Sequence, residues 1–235
     1  MKRIVFPLLG MLMLGFSGCI KPGENKQCTN YYMPAFYNFS YEPDLFQPVF
    51  ITQSGIFVNQ ESAELTIGEA YLIAFCVNYD QQASTQYTTV YNLDCIPVGR
   101  GYTQPTDGGH SVADDFDLPI TAMEYIGRVG NVIFFAFAHE NNSNQGFIYE
   151  MTYDSNATDD PTVYCRAKYA GLSLANSVKV GYYAFNMNTF FYDHIDAYNK
   201  VKFKVKFKTG KDEEGNDKYG SVNSGNAVEI DVIGE

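Results

Sequence analysis

The stretch Val201-Lys202-Phe203-Lys204-Val205-Lys206-Phe207-Lys208 decides the fold. Apolar and basic residues alternate strictly along it, and side chains of a β-strand point alternately to opposite faces, so this is a strand with one buried face and one face of four lysines. Val228-Glu229-Ile230-Asp231-Val232 repeats the pattern with acids on the polar side. The Gly/Asn/Asp-rich sequence between the two predicts an antiparallel partner whose carboxylates oppose the lysines. The same period-two pattern, in short runs bounded by Gly, Asn, Asp and Pro, predicts further strands over 55–58, 71–79, 86–96, 131–139, 147–153, 162–169 and 177–185. From residue 19 onward there are 7 Leu against 35 Tyr plus Phe, a balance that favours strands. A helical turn or two is expected only over 190–198. The chain reads as all-β.

Across 235 residues, 16 Lys+Arg stand against 27 Asp+Glu, for a net charge of −11, with 16 % aromatic residues and no Trp. So many aromatics exclude a disordered chain. So acidic a chain excludes an extended nucleic-acid surface, because phosphate backbones are held by clustered Lys and Arg.

The N-terminus supplies a compartment. Lys2 and Arg3 precede the apolar run Ile4 to Phe16, and Ser17-Gly18 place small side chains before Cys19. This is a secretory signal peptide, too short in its apolar part to span a bilayer. Phe16-Ser17-Gly18-Cys19 resembles the bacterial lipobox, in which cleavage falls before a diacylated cysteine. The expectation is a signal peptide over 1–18 and a mature chain lipid-attached at Cys19. Two or three acyl chains anchor stably where one does not. Loss of the leader deepens the net charge to −13.

Outside the inner membrane disulfides persist, and Cys28, Cys76, Cys95 and Cys165 allow three complete pairings. Cys76 with Cys95 is the pairing to test first, because the two lie in adjacent runs joined by a short polar segment. Four buried free thiols are the other reading. No C-x-x-C or close Cys/His spacing suggests a metal, and no cofactor is implied.

Four prolines within 19–48 suggest a lipid-proximal tether. Gly99 to Asp117 interrupts strand-like sequence with Gly-Arg-Gly, Asp-Gly-Gly and Asp114-Asp115-Phe116-Asp117, and reads as a linker. These divide the chain into an N-terminal β domain over 49–98 and a C-terminal one over 118–235.

The lipobox, the phrase Thr66-Ile67-Gly68-Glu69-Ala70-Tyr71-Leu72-Ile73 leading into a hairpin, and a β-rich half closing on Lys-alternating strands together resemble the NigD-like lipoproteins. The resemblance implies an N-terminal OB-like barrel followed by a C-terminal antiparallel β-sandwich. It carries no activity and no catalytic residue.

Chemistry is thinly signalled. His110, His139 and His194 allow a Ser/His/Asp set only on paper. His139 beside Glu140 offers a base and its orienting acid, or a strand-end histidine in a turn. Gly171-Leu172-Ser173-Leu174-Ala175 lacks the final glycine and helix of a nucleophile elbow. Asp212 to Asp217 and Asp154 to Asp160 are acidic, but read as solvated turns and lack the acid spacing of a calcium loop. Tyr87, Tyr91, Tyr102 and Tyr125 would stack on sugars if they shared a face. Lys200, Lys202, Lys204, Lys206 and Lys208 would attract an anion unless paired with acids. The expectation is therefore a monomeric, non-catalytic binding module on the outer membrane, with its partner an envelope protein. The alternatives are a carbohydrate-binding lipoprotein of nutrient capture, a pilin-like subunit, and, furthest away, a hydrolase.

Overall fold

The structure, a computed structural model, describes residues 25–40, 47–59, 64–82, 84, 86–109, 115–139, 145–158, 161–172 and 180–232. The expected signal peptide, Cys19, His110, Glu140 and Ser173 lie outside them. Nearly all regular structure is β, and the chain divides between Pro97 and Val98 into two compact units.

In the first unit, β1 (Lys26–Cys28), β2 (Met33–Phe39), β3 (Pro48–Thr52), β4 (Gly55–Asn59), β5 (Glu69–Asn78) and β6 (Tyr87–Pro97) form one sheet. Antiparallel neighbours run β5-β2-β3-β4, β4 pairs in parallel with β6, and β6 returns to β5. The ring is a closed five-strand barrel with the order of an OB fold, and closure leaves the ring no open edge. Ala35, Phe50, Phe57, Tyr71, Ile73, Phe75, Val77 and Val90 fill it. Phe57 and Phe75 lie with ring centres 4.7 Å apart, within the aromatic pairing range.

The tether expected over 19–48 contains two of these strands. Met33, Ala35 and Tyr37 alternate toward the core, but Pro34 between them hides the period in the sequence. Pro34 is tolerated because a proline costs a strand only its own donor.

The expected Cys76–Cys95 pairing is overturned. The disulfide joins Cys28 to Cys76, and Cys95 and Cys165 are free. The cause is register. β1 sets Cys28 directly opposite Cys76, whereas along β6 Cys76 faces Tyr91 and Cys95 faces Ile73.

The second unit is a sandwich. One sheet has the order β7-β13-β10-β9, from β7 (Gly99–Arg100), β9 (Ala122–Val129), β10 (Val132–Ala138) and β13 (Val180–Asn186). The other has the order β15-β14-β12-β11-β8, from β8 (Tyr102–Pro105), β11 (Gln145–Tyr153), β12 (Thr162–Leu172), β14 (Lys200–Lys211) and β15 (Asp217–Ser221), and β16 (Val228–Asp231) continues along β14. Between the sheets Ile133, Phe135, Phe137 and Phe185 meet Tyr149, Met151, Val163, Cys165, Phe203 and Val205. The single α-helix among the described residues, α1 (Asn188–His194), adds Phe190 and Phe191 to this core.

The alternating run that opened the sequence reading is the middle of β14. Val201, Phe203, Val205 and Phe207 face inward, and β16 lies antiparallel with Lys200 opposite Asp231 and Lys202 opposite Glu229. Residues 99–105 of the expected linker over 99–117 are instead built into both sheets, and 110–114 lie outside the described residues. β7 pairs in parallel with β13, and β8 in parallel with β11. Gly99 and Gly101 are needed for closeness rather than for a turn: a Cβ on Gly101 would stand 2.0 Å from the Phe185 ring, and one on Gly99 2.5 Å from Tyr183.

Two outcomes are expected. Peptide mapping after alkylation under native conditions should link Cys28 to Cys76 and leave Cys165 unmodified until unfolding. Losing the cross-link as Cys28→Ala/Cys76→Ala should cost the barrel about 4 kcal/mol in urea denaturation, the loop-closure entropy of a loop this long. Gly101→Ala should destabilise the sandwich by about 2 kcal/mol or more through overpacking against Phe185, measured in the same way.

Candidate functional site

The outer face of the six-stranded sheet carries the densest buried chemistry among the described residues. Period two places Glu150 and Thr152 of β11, Tyr164, Arg166 and Lys168 of β12 and Lys206 of β14 on the face opposite the core, with Lys208 buried beside them. Arg166 is only 4 % exposed, Lys208 3 % and Glu150 4 %. Charges so buried need partners.

They have them. Lys208 donates to Asp117 and, at 2.7 Å, to Asp217. Arg166 donates to Tyr219 Oη, to Thr152 Oγ1 at 3.3 Å and to Asp217 Oδ2 at 3.5 Å. Thr152 in turn donates its hydroxyl to the Gly109 carbonyl at 2.7 Å, and Gln104 donates to Glu150 at 2.9 Å. Lys211 adds a bond to Asp117 at 2.9 Å, and Lys168 reaches Asp115 at 2.7 Å while lying 4.4 Å from the Phe116 ring centre. The network therefore ties residues 102–109 to β11 and residues 115–117 to β12 and β14.

The electrostatics follow from these contacts. Hydrogen bonds from Lys208 and Lys211 hold the Asp117 carboxyl below its ordinary value. Burial alone would raise Asp217, but Lys208, the Tyr219 hydroxyl and Arg166 outweigh it and hold it low. Burial pushes the Tyr219 phenol up to about 12. Lys208 is held between two carboxylates, and Arg166, Lys168 and Lys211 each pair with one, so the cluster braces the sheet and presents no activated nucleophile. The cysteines match this: burial pushes Cys95 up to about 11 and Cys165 well above the ordinary thiol value, and a protonated thiol is a poor nucleophile.

The histidines singled out in the sequence are brought to no common site. His139 is buried, its Nδ1 2.9 Å from the Pro119 carbonyl, its Nε2 2.6 Å from the Tyr149 hydroxyl, and its ring stacked 4.4 Å from Phe147. Nδ1 therefore carries the proton and Nε2 accepts one from Tyr149. Burial lowers its pKa, which keeps the ring neutral. His194 faces two carbonyl oxygens, Phe190 at 2.9 Å and Asp154 at 3.2 Å. Both histidines are cross-braces.

Asp212 spends its carboxylate on its own turn, accepting from the backbone of Glu214 and Asn216 at 3.0 and 2.8 Å, as a solvated hairpin tip does. No group of three His, Cys, Asp or Glu able to hold a metal occurs among the described residues. The four tyrosines are divided between the two units. Tyr87 and Tyr91 belong to the barrel, Tyr102 is 65 % exposed at the end of β8, and Tyr125 packs into the core edge-on to Phe135. Of the lysine row, Lys200 pairs with Glu229 at 2.8 Å, Lys208 is buried, and Lys206 lies 5.8 Å from the Tyr164 ring centre. Asp117 and Asp217 entered the sequence reading only as ends of acidic stretches read as linker and solvated turn, and Arg166 was not singled out. Its signal was the alternation Tyr164, Arg166, Lys168 outside Val163, Cys165, Ala167.

The fold is shared with solved structures from Parabacteroides and Bacteroides species. No protein-family model and no curated protein matches the sequence. An uncharacterized protein from Parabacteroides merdae superposes with a TM-score of 0.66 at 13 % identity, covering 86 % of this chain and 99 % of that one. A candidate lipoprotein from Bacteroides fragilis follows at 0.54 and 10 % identity, covering 82 % and 96 %. A NigD-like immunity protein from Bacteroides caccae also matches, at 0.44 and 10 % identity over 84 % and 95 %, too distantly to support more than its mention. What the first two share with this chain is its all-β architecture of barrel and further sheets.

Removing one partner of a buried pair strands the other. Asp217→Ala should destabilise the sandwich by about 3 kcal/mol, whereas Lys208→Met, which leaves Lys211 on Asp117 and Arg166 on Asp217, should cost less. Both carboxyls sit below the ordinary 3.8 in the folded chain, so their contribution is present above that pH and is lost as pH falls through the folded values. Urea midpoints should therefore drop between pH 4 and pH 2 in the wild type by more than in Asp117→Asn/Asp217→Asn.

Proposed function

We propose that this protein is a lipid-anchored lipoprotein of a bacterial outer membrane that works by binding another envelope protein rather than by catalysis. The observation that carries the reading is Phe16-Ser17-Gly18-Cys19 behind a basic start and a thirteen-residue apolar run. Lipid on Cys19 would tether the barrel, whose β1 begins only at Lys26, close to the membrane surface. The fold held in common with the Bacteroides fragilis protein supports the same compartment. The non-catalytic part rests on the polar chemistry: His139, His194, Lys208 and Arg166 all have their hydrogen-bonding capacity turned inward. A chain of net charge −11 is suited to meeting a protein rather than a nucleic acid or an anionic lipid surface.

A clickable palmitate analogue fed to cells should label the wild-type chain, and Cys19→Ala should abolish both the label and its sedimentation with membranes. Cross-linking of intact cells should then join the wild type to one envelope protein that the Cys19→Ala form does not capture. A labelled chain recovered bare would rule against the protein-binding part.

A further inference from the structure

Between β13 and β14 the chain leaves the sandwich as α1 and a turn, and its outward side has an unusual make-up. Tyr192 is 84 % exposed, Tyr198 83 % and Ile195 39 %, three large apolar side chains in solvent at every third position. Folding alone gives no reason for this, because the same excursion already buries Phe190 and Phe191 completely. Large exposed aromatics concentrated in one short segment mark contact surfaces, where a ring supplies area at little entropic cost.

The segment is also held still. The His194 ring lies between the Phe190 and Asp154 carbonyls, its nitrogens 2.9 and 3.2 Å from them, which packs α1 against the turn after β11. The Tyr153 hydroxyl reaches Asp193 at 3.5 Å. Asp196 Oδ1 accepts from the backbone N–H of both Tyr198 and Lys200 at 2.8 Å, which fixes that carboxylate beside the second tyrosine. A preorganised surface loses less entropy on binding.

Its charge decides what fits. The exposed residues between the apolar ones include Asp193 and Asp196, Asp154 lies on the adjoining turn, and no Lys or Arg occurs from 180 to 199. Anionic lipids and acidic polysaccharides are repelled by such a rim. A guanidinium or ammonium can lie over a tyrosine face and pair with a neighbouring carboxylate at once.

We propose that Tyr192, Asp193, Ile195, Asp196 and Tyr198 form the docking surface for a Lys/Arg-rich segment of the partner protein. The proposal rests on the envelope-protein reading above and names the part of the molecule that makes the contact.

The test replaces Tyr192 or Tyr198, in the full-length chain in cells, by the photocrosslinker p-benzoylphenylalanine. Tyr31 and Tyr79 of the barrel, 52 % and 51 % exposed, serve as controls. Mass spectrometry identifies the attached peptide. Positions 192 and 198 should both capture a segment in which Lys and Arg outnumber Asp and Glu. In isolated membranes, Asp193→Asn/Asp196→Asn should cut that yield by about fivefold, as loss of steering charges does. Asparagine keeps the acceptor that Tyr198 and Lys200 need, so the turn stays folded. Attachment to an acidic or neutral segment, attachment to glycan, or a yield unmoved by the double substitution overturns the proposal. If the barrel positions capture an envelope protein and 192 and 198 do not, this surface is wrong and the envelope-protein reading stands. If no position captures a protein, both fall.

Discussion

Half of β14 must be dry and the other half must be charged, and much of the C-terminal unit is arranged around that constraint. Val201, Phe203, Val205 and Phe207 are buried between the two sheets, each contributing of order 1.5–3 kcal/mol by leaving water. A strand cannot bury those residues without turning its lysines to the opposite face. Where that face is itself covered, as at Lys208, the ammonium needs carboxylates, and they come from Asp117 and Asp217, far apart in the chain. Lys200, at the open end of the strand, takes Glu229 and Asp231 from β16 instead. The placement of residues 102–109 and 115–117 follows from the same demand. Asp115 and Asp117 are held to β12 and β14, and Gln104 and Gly109 to β11.

The barrel is stabilised differently. Its ring closes because β4 and β6 can pair in parallel after β5 has crossed between them, and closure removes the edges along which sheets aggregate. β1 lies outside the ring, three residues against the end of β5, and the Cys28–Cys76 disulfide keeps so short a strand in place. Thr29 continues the attachment by exchanging hydrogen bonds with the backbone of Phe75.

The two described histidines that invite a catalytic reading, both in the second unit, are turned inward. His139 is neutral, desolvated and bonded at both nitrogens, which leaves no basic lone pair to take a substrate proton. What the fold does present outward is aromatic and acidic surface on α1 and its following turn. Such a surface suits recognition, which needs shape and charge and no reactive group.

The fold class was legible because period two is a local property. The run 201–208, the strands at 132–138 and 147–153, and the antiparallel partner at 228–231 all follow from neighbouring residues. The barrel-plus-sandwich layout came from the NigD-like resemblance, and the strands of the structure have that layout. What local sequence could not carry is partner choice. β2 looked like a tether because Pro34 interrupts its alternation, β7 and β8 looked like a linker because parallel edge strands have no hairpin signal, and Cys76 was matched to the wrong cysteine because register depends on every pair along a ladder. Arg166, Lys208, Asp117 and Asp217 became one network only when four strands and a strap met. The sequence by itself determined which residues must be buried, since side-chain polarity and backbone period act over a few residues. Only the tertiary structure decided which buried charge meets which carboxylate and which tyrosines stay in water, since those depend on distances set by the whole sheet.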